Sequence, residues 1–417
     1  MNIKDNIWSK SLPYAMYVMG ILLPFNQPAA NYALGLFSVI FVIVVLQNLK
    51  TCKFNLQLLL LPVLFFALHI TGILYSSELK IAFNDIGTKS AFLILPLLFS
   101  SGIIPSAKFQ NFKTAFIAGC LIVCLYNLSL SCYDYYRNGN SNVFYYILFS
   151  RTMHVQYLTI YLNIAILFLI NGVFEYRKKN KFGMILSIVL IAFFFLNIAL
   201  LDSRLATVVS YITSLLFTFM KIKTSGNVLR YMLYALLWVA IIVSVDYFSM
   251  RTNRFEQVGD LLANENNFYD FSKPEYSSTA LRIPLWINAY QVIEDNPLLG
   301  VGTGDVRIAL DSIYSKNKFK FALEKKLNPH NQYLQTGVAL GLAGITSLFA
   351  MLLIPLYYSI RYRHFLFLSL LIIYIFNMLT ESVLERQAGI IIFTLLYSMF
   401  SVELNSMMAN DKLPATE

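Results

Sequence analysis

Charge is scarce in this chain. Only 13% of its 417 residues are Asp, Glu, Lys or Arg, against roughly 25% in soluble proteins. So few charges cannot cover a water-soluble globule of this size. A disordered chain is excluded from the other side, because 58% of residues are hydrophobic and 15% aromatic. Cysteine is scarce as well. Cys52, Cys120, Cys124 and Cys132 form no CxxC and no metal-ligand spacing, which argues against a disulfide scaffold and a zinc site. Cys120 and Cys124 sit four apart in an apolar run and read as helix packing. With four histidines and no His/Cys/Asp cluster, neither a metal nor another cofactor is expected. The first apolar run lacks a small-residue cleavage site, so it reads as a retained helix. No internal repeat is visible.

What is abundant is apolar length. The mean hydropathy is +0.62, and a spanning helix needs about 20 mostly apolar residues. The chain reads as an all-α integral membrane protein with about twelve transmembrane helices. Their expected limits are 11–28, 32–48, 55–75, 88–105, 114–134, 156–174, 182–201, 204–221, 228–248, 333–360, 363–380 and 387–405. Pro24 and Pro28 interrupt the first. Lys and Arg divide unevenly between the two sets of short connections, about 16 to 6. The richer set holds Lys50, Arg177, Lys178, Lys223 and Arg361. The positive-inside bias places both termini in the cytoplasm. The net charge of +10 is largely this topology signal and calls for no nucleic-acid partner.

One connection is long. About 80 residues separate the ninth and tenth spans, from near Met250 to His330, and loops of that length are usually functional. The chain divides into 1–248 with nine spans, 249–332 as a large periplasmic loop, and 333–417 with three spans and a cytoplasmic tail. Short helices are expected in the loop, since Leu281, Leu285, Ala289 and Ile293 recur at helical intervals. The GVGTG string at Gly300–Gly304 resembles a phosphate loop but lacks the GxGxxG spacing, a preceding strand and a Lys-Ser/Thr end. It reads as a turn after Pro297.

Several polar residues gather at the outer edge of the spans. They are Ser203 and Arg204 between the seventh and eighth, Arg282 in the loop, and His330 and Asn331 where the tenth begins. Glu381, Glu385 and Arg386 lie between the last two, and His154 and Tyr157 start the sixth. One site at the external boundary would produce this distribution. Each also has an ordinary role: arginines at span ends snorkel, Arg282 fits a solvated helix face, and Glu381 can pair with Arg386. Trp286 reads as packing, and the lysines from Lys316 to Lys326 as a solvated face.

Three strings together resemble the O-antigen ligase family: SRLATVVSY at Ser203–Tyr211, LRIPLWINAYQVIEDNPLLGVGTGD at Leu281–Asp305, and PHNQYLQTGVALGLAG at Pro329–Gly344. That superfamily includes O-antigen polymerases and protein O-oligosaccharyltransferases. The resemblance implies a GT-C-like glycosyltransferase architecture in the bacterial inner membrane. It implies transfer of a glycan from undecaprenyl diphosphate to a lipid A–core sugar at the periplasmic face. By motif, Arg204 and Arg282 match the arginines that contact the donor diphosphate, and His330 matches the essential histidine. Ser203, Asn331, His154 and Glu381 are supporting candidates. The loop lacks the paired basic motif of some polymerases, which favours a ligase.

The chemistry asks for the same residue types. A leaving diphosphate suits arginine, whose fork stays charged and binds phosphate oxygens in pairs. An acceptor hydroxyl needs a base, and an unperturbed histidine titrates near pH 6.5. With His330 as base, a single displacement inverts the anomeric centre. A covalent intermediate would need a carboxylate, and Glu381 is the candidate. No metal is expected to take part. The rivals are a polymerase or protein O-glycosyltransferase using the same donor, and a flippase for the lipid-linked glycan. A flippase would place polar groups near the midplane, whereas these lie at the boundary.

Overall fold

The computed structural model describes residues 6–52, 54–176, 180–222 and 281–411. The expected ninth span, 228–248, and the first part of the large loop lie outside them. The described residues are all helical, with no strands. The first ten α-helices are α1 (Ile7–Leu22), α2 (Gln27–Gln47), α3 (Leu60–Ile73), α4 (Leu79–Lys89), α5 (Ala91–Ser100), α6 (Phe109–Asn138), α7 (Tyr146–Phe149), α8 (Val155–Tyr176), α9 (Lys181–Leu201) and α10 (Arg204–Ile222). Six more follow from residue 282, the first three of them within the loop: α11 (Arg282–Asp295), α12 (Val306–Lys316), α13 (Lys320–Glu324), α14 (Gln332–Arg361), α15 (Phe365–Asn377) and α16 (Gln387–Asp411).

Eight segments among the described residues are long and apolar enough to cross a membrane: α2, α4–α5, α6, α8, α9, α10, α14 and α16. Three expected spans correspond to shorter apolar helices. These are α1 with 16 residues, α3 continuous with a 3-10 turn from Gln57, and α15 with 13. The first expected span was drawn too far along the chain. Pro28 does not break α1; it opens α2, where a missing N–H costs nothing, and the Asn26 side chain caps that end by accepting from Ala29 N at 2.8 Å. The fourth was drawn too late. It begins at Leu79 and is interrupted at Ser90, so Lys80 and Lys89 both lie within its first helix.

Lipid exposure and burial sort the helices. Leu36, Val39 and Leu46 of α2, Ile185 and Val189 of α9, and Leu353, Tyr357 and Ile360 of α14 are exposed, as large apolar side chains facing hydrocarbon should be. Nearly every residue from Val155 to Val173 is buried, as is the run Gly389–Ser401, so α8 and α16 form the centre. Cys120 and Cys124 are buried against this core, as their spacing suggested. A second, smaller core joins α11, α12 and α13 through Leu285, Leu310, Tyr314 and Phe319, and rests on Val338 of α14.

The join between these layers explains the glycine string. Helix α14 is broken at Gly341, whose φ is +58° and ψ −149°. The break frees two carbonyls and two N–H groups, and the turn after Pro297 satisfies them. Val301 N and Gly302 N donate to Val338 O and Ala339 O, both at 2.9 Å. Leu342 N and Ala343 N donate to Pro297 O and Leu298 O at 2.8 and 3.2 Å. The contact is backbone on backbone, and a Cβ at Gly300 would stand 2.5 Å from Leu340 N. GVGTG is a turn, as expected, and its work is to splice the loop layer into a membrane helix.

Candidate active site

His330 stands in the strand of chain just before α14. Asn331 caps the helix, its Oδ1 accepting from Leu334 N at 3.1 Å while its Nδ2 donates to Leu379 O at 3.2 Å. Gln332 N donates to Met378 O at 2.8 Å, and Trp286 Nε1 donates to Pro329 O at 3.0 Å. The segment is thus tied to the end of α15 and to α11. Trp286 does pack, and through its N–H it also fixes the backbone next to His330. His330 itself is held at φ +46°, a left-handed conformation that costs about 1–3 kcal/mol in a non-glycine residue and that concentrates at functional sites.

The His330 ring meets Glu381, Nδ1 to Oε2 at 3.2 Å. The ring is 34% exposed and the Glu381 side chain 10%. Glu381 therefore pairs with His330 and not with Arg386, the partner expected from the sequence. Burial alone would raise the Glu381 pKa. The hydrogen bond and charge of His330, with the nearby charges of His154 and Arg282, outweigh it and hold the carboxyl below its ordinary value. His154 is itself pushed down, first by burial, then by Arg386 and His330 against the pull of Glu381. Four separated candidates, His154, Arg282, His330 and Glu381, are one electrostatic cluster.

Arg282 opens α11. Its Nε is buried and has no hydrogen-bond partner among the described residues, so a guanidinium N–H is left over beside the His330–Glu381 pair. Arg204 opens α10 after a hairpin in which Phe195 stacks on Tyr211 at 5.2 Å. Further along, Thr213 Oγ1 donates to Asn163 Oδ1 of α8 at 3.2 Å. Thr213 lies nine residues after Arg204 and Asn163 nine after His154. Arg204 therefore stands level with His154 at the same end of the bundle. Ser203 is buried in the turn, its carbonyl accepting from Thr207 N at 2.8 Å.

A cavity of about 400 Å³ opens beside the cluster, lined by His154, Tyr157, Thr88, Glu385, Arg386 and Gln387 among others. The Tyr157 hydroxyl is buried there with no hydrogen-bond partner among the described residues.

Sequence reading missed one group. Lys89, 1% exposed, pairs with Asp85 Oδ1 at 2.5 Å and Glu385 Oε2 at 2.7 Å. Glu385 Oε1 accepts from Gln332 Nε2 at 3.0 Å, and Gln332 Oε1 accepts from Leu384 N at 2.7 Å. The signal was Asp85 and Lys89 spaced i, i+4 on a helical face, hidden by drawing the span from residue 88. No group of three or more His, Cys, Asp or Glu that could hold a metal occurs among the described residues.

The arrangement offers a histidine oriented at one nitrogen, an unpartnered arginine donor and an adjoining polar cavity at one end of an apolar bundle. No curated protein matches the chain. A family model described as O-Antigen ligase does match residues 187–349, a stretch that contains Arg204, Arg282, His330 and Asn331 and stops short of Glu381.

Proposed function

We propose that the protein is an O-antigen ligase. It moves a glycan from undecaprenyl diphosphate to a sugar hydroxyl of lipid A–core, at the periplasmic face of the inner membrane, with both termini cytoplasmic. The family match supports a glycosyl-transfer enzyme with lipid-linked glycan substrates. The observation that carries the finer reading is the His330–Glu381 pair beside the unpartnered Arg282 N–H.

With Nδ1–H held by the carboxylate, Nε2 of His330 is the bare nitrogen. It takes the proton from the acceptor hydroxyl as that oxygen bonds to C1 of the donor sugar. The C1–O bond to diphosphate breaks on the opposite face, and the anomeric centre inverts. Glu381 stabilises the imidazolium that forms. This use of Glu381 leaves it no free role as nucleophile and favours single displacement. Arg282 and Arg204 meet the charge that collects on the departing diphosphate. Asn331 and Ser203 position the backbones that carry His330 and Arg204, and no step calls for a metal.

The test is transfer by purified protein from undecaprenyl-diphosphate-linked glycan to lipid A–core, with EDTA present. Wild type is expected to label lipid A–core, and His330→Ala to lose about 10²–10⁴ in rate. Donor units joined to one another instead would make the protein a polymerase and overturn the ligase reading. Retained transfer by His330→Ala would remove the base assignment.

A further inference from the structure

A second polar cavity, of about 190 Å³, lies between α3, α4, α12 and the start of α14. Asn328 is part of its wall, and Asn328 Oδ1 accepts from His330 N at 3.0 Å. The cavity therefore adjoins the histidine through one residue. Neither Arg282 nor Arg386 lines it.

Its wall carries buried polar atoms with no hydrogen-bond partner among the described residues. They are both ring nitrogens of His69, Oδ2 of Asp85 and Oε1 of Gln335. His69 is 2% exposed and Gln335 8%. His69 Nδ1 and Asp85 Oδ2 stand 3.6 Å apart, beyond hydrogen-bonding distance. Buried polar atoms are almost always paired in native proteins, so unpartnered atoms on three side chains of one cavity wall point to an occupant.

The chemistry of the wall selects that occupant. Its cations are largely matched: Lys89 by Asp85 and Glu385, and Arg307 by Asp311. Lys326 lines the cavity from an exposed position. The carboxylate and amide oxygens of Asp85 and Gln335 can only accept. A phosphate, itself a set of acceptors, leaves them unmet and adds negative charge beside Asp85 and Glu385. Hydroxyl groups donate as well as accept, and each neutral imidazole offers one donor and one acceptor to match.

We propose that this cavity seats one hydroxyl-rich sugar ring of the acceptor, next to His330. The assignment rests on the glycan-transfer reading above for the word acceptor, while the sugar chemistry rests on the cavity itself. At about 30 Å³ per water the space equals roughly six waters, the scale of one monosaccharide unit and not of a chain.

Gln335→Met and His69→Phe test it. Each keeps the shape of the side chain and removes atoms that bond no described residue. His69→Phe also preserves the edge-on packing against Phe65, centroids 4.9 Å apart. Both variants are expected to melt with wild type in detergent. Two readouts are taken on each: binding of the core oligosaccharide released from lipid A–core, by saturation-transfer NMR without donor, and steady-state transfer with donor and acceptor varied separately.

Each variant is expected to weaken core binding and raise the acceptor KM about tenfold, the scale of one lost hydrogen bond. The kcat and the donor KM should stay within about twofold. Unchanged core binding in both variants overturns the assignment. So does a raised donor KM with an unchanged acceptor KM, which would place the donor's own sugar there. Wild type that binds the core oligosaccharide, with binding lost in both variants, but transfers nothing to lipid A–core overturns the ligase reading and leaves the cavity's sugar chemistry standing. Normal transfer with unchanged core binding in both variants does the reverse.

Discussion

Against its burial, the hydrogen bond and charge of His330, with His154 and Arg282 nearby, hold the Glu381 carboxyl below its ordinary value, and this has a consequence for acid stability. A carboxyl whose folded pKa lies below its unfolded value, about 4.3 for Glu, contributes stability that is fully present above that value. The contribution is lost as pH falls through the lower native pKa. Wild-type melting temperature in detergent should therefore fall across that acid window, and Glu381→Gln should flatten the fall. At neutral pH the same variant keeps an acceptor for Nδ1–H but loses the charge that steadies the imidazolium. Its kcat should drop about tenfold to a hundredfold, less than for His330→Ala. A Glu381→Gln enzyme with wild-type kcat would mean the pair is structural only. Arg282 carries a sharper expectation. Lysine keeps the positive charge but not the planar fork, so Arg282→Lys should lose most of what Arg282→Ala loses, about 10²-fold or more in kcat/KM. Rescue by lysine would show that charge alone is used. These residues were legible one at a time in the sequence, because each is a polar group at a span edge. Their pairing was not. The His330–Glu381 contact joins positions 51 apart, and nothing in spacing tells a carboxylate to choose His330 over its near neighbour Arg386.

Helical elements show the same division between what is local and what is not. Amphipathic spacing correctly announced α11, and turn residues correctly announced the break after Pro297. The partner of that turn was hidden, since Gly341 lies in an apolar run that reads as an unbroken span. Its φ of +58° and the four backbone bonds across the break exist only in three dimensions. Gly341→Ala would place a Cβ 2.5 Å from the Leu298 carbonyl carbon in a backbone region closed to alanine. It should lower the melting temperature markedly, and Gly35→Ala, whose Cβ meets nothing within 4 Å, should not. Lys89 is the counterpart in electrostatics. Charged residues are costly in lipid, yet two carboxylates receive this one inside the protein. Lys89→Met leaves Asp85 and Glu385 facing each other without their cation, and should destabilise by about 3–5 kcal/mol. The Lys89→Met, Glu385→Gln double variant should recover part of this, and a double variant no better than the single would show that Glu385 does not share the charge.

For the whole molecule, composition decided class: too little charge for a soluble globule leaves helices that show apolar side chains to lipid, and the exposed leucines, isoleucines and valines of α2, α9 and α14 are that surface. Counting spans was harder, because a hydropathy window registers apolar length and cannot weigh a 13-residue helix such as α15, whose ends continue in turns. Sidedness is a separate matter, since it rests on the distribution of lysine and arginine and on translocation, and a folded bundle looks the same from either direction. On the proposed topology the His330 end lies outside. The turn that follows α6 belongs to that end: Ser131 Oγ donates to Val143 O at 2.9 Å, and Arg151 N donates to Asn127 Oδ1 at 3.3 Å, which ties the end of α6 to the approach to His154. Asn140, exposed in this turn, should then face the periplasm, and exposed Lys50 after α2 the cytoplasm. In a background with Cys52 and Cys132 replaced by serine, a membrane-impermeant maleimide added to intact spheroplasts should label Asn140→Cys at once. It should label Lys50→Cys only after lysis. Cys120 and Cys124, both buried, should stay silent in the folded protein. The opposite pattern would put the His330 cluster in the cytoplasm, where a base and two arginines could still act on a diphosphate, but on a glycan lipid that has not yet crossed the membrane and with no access to an acceptor on the outer leaflet.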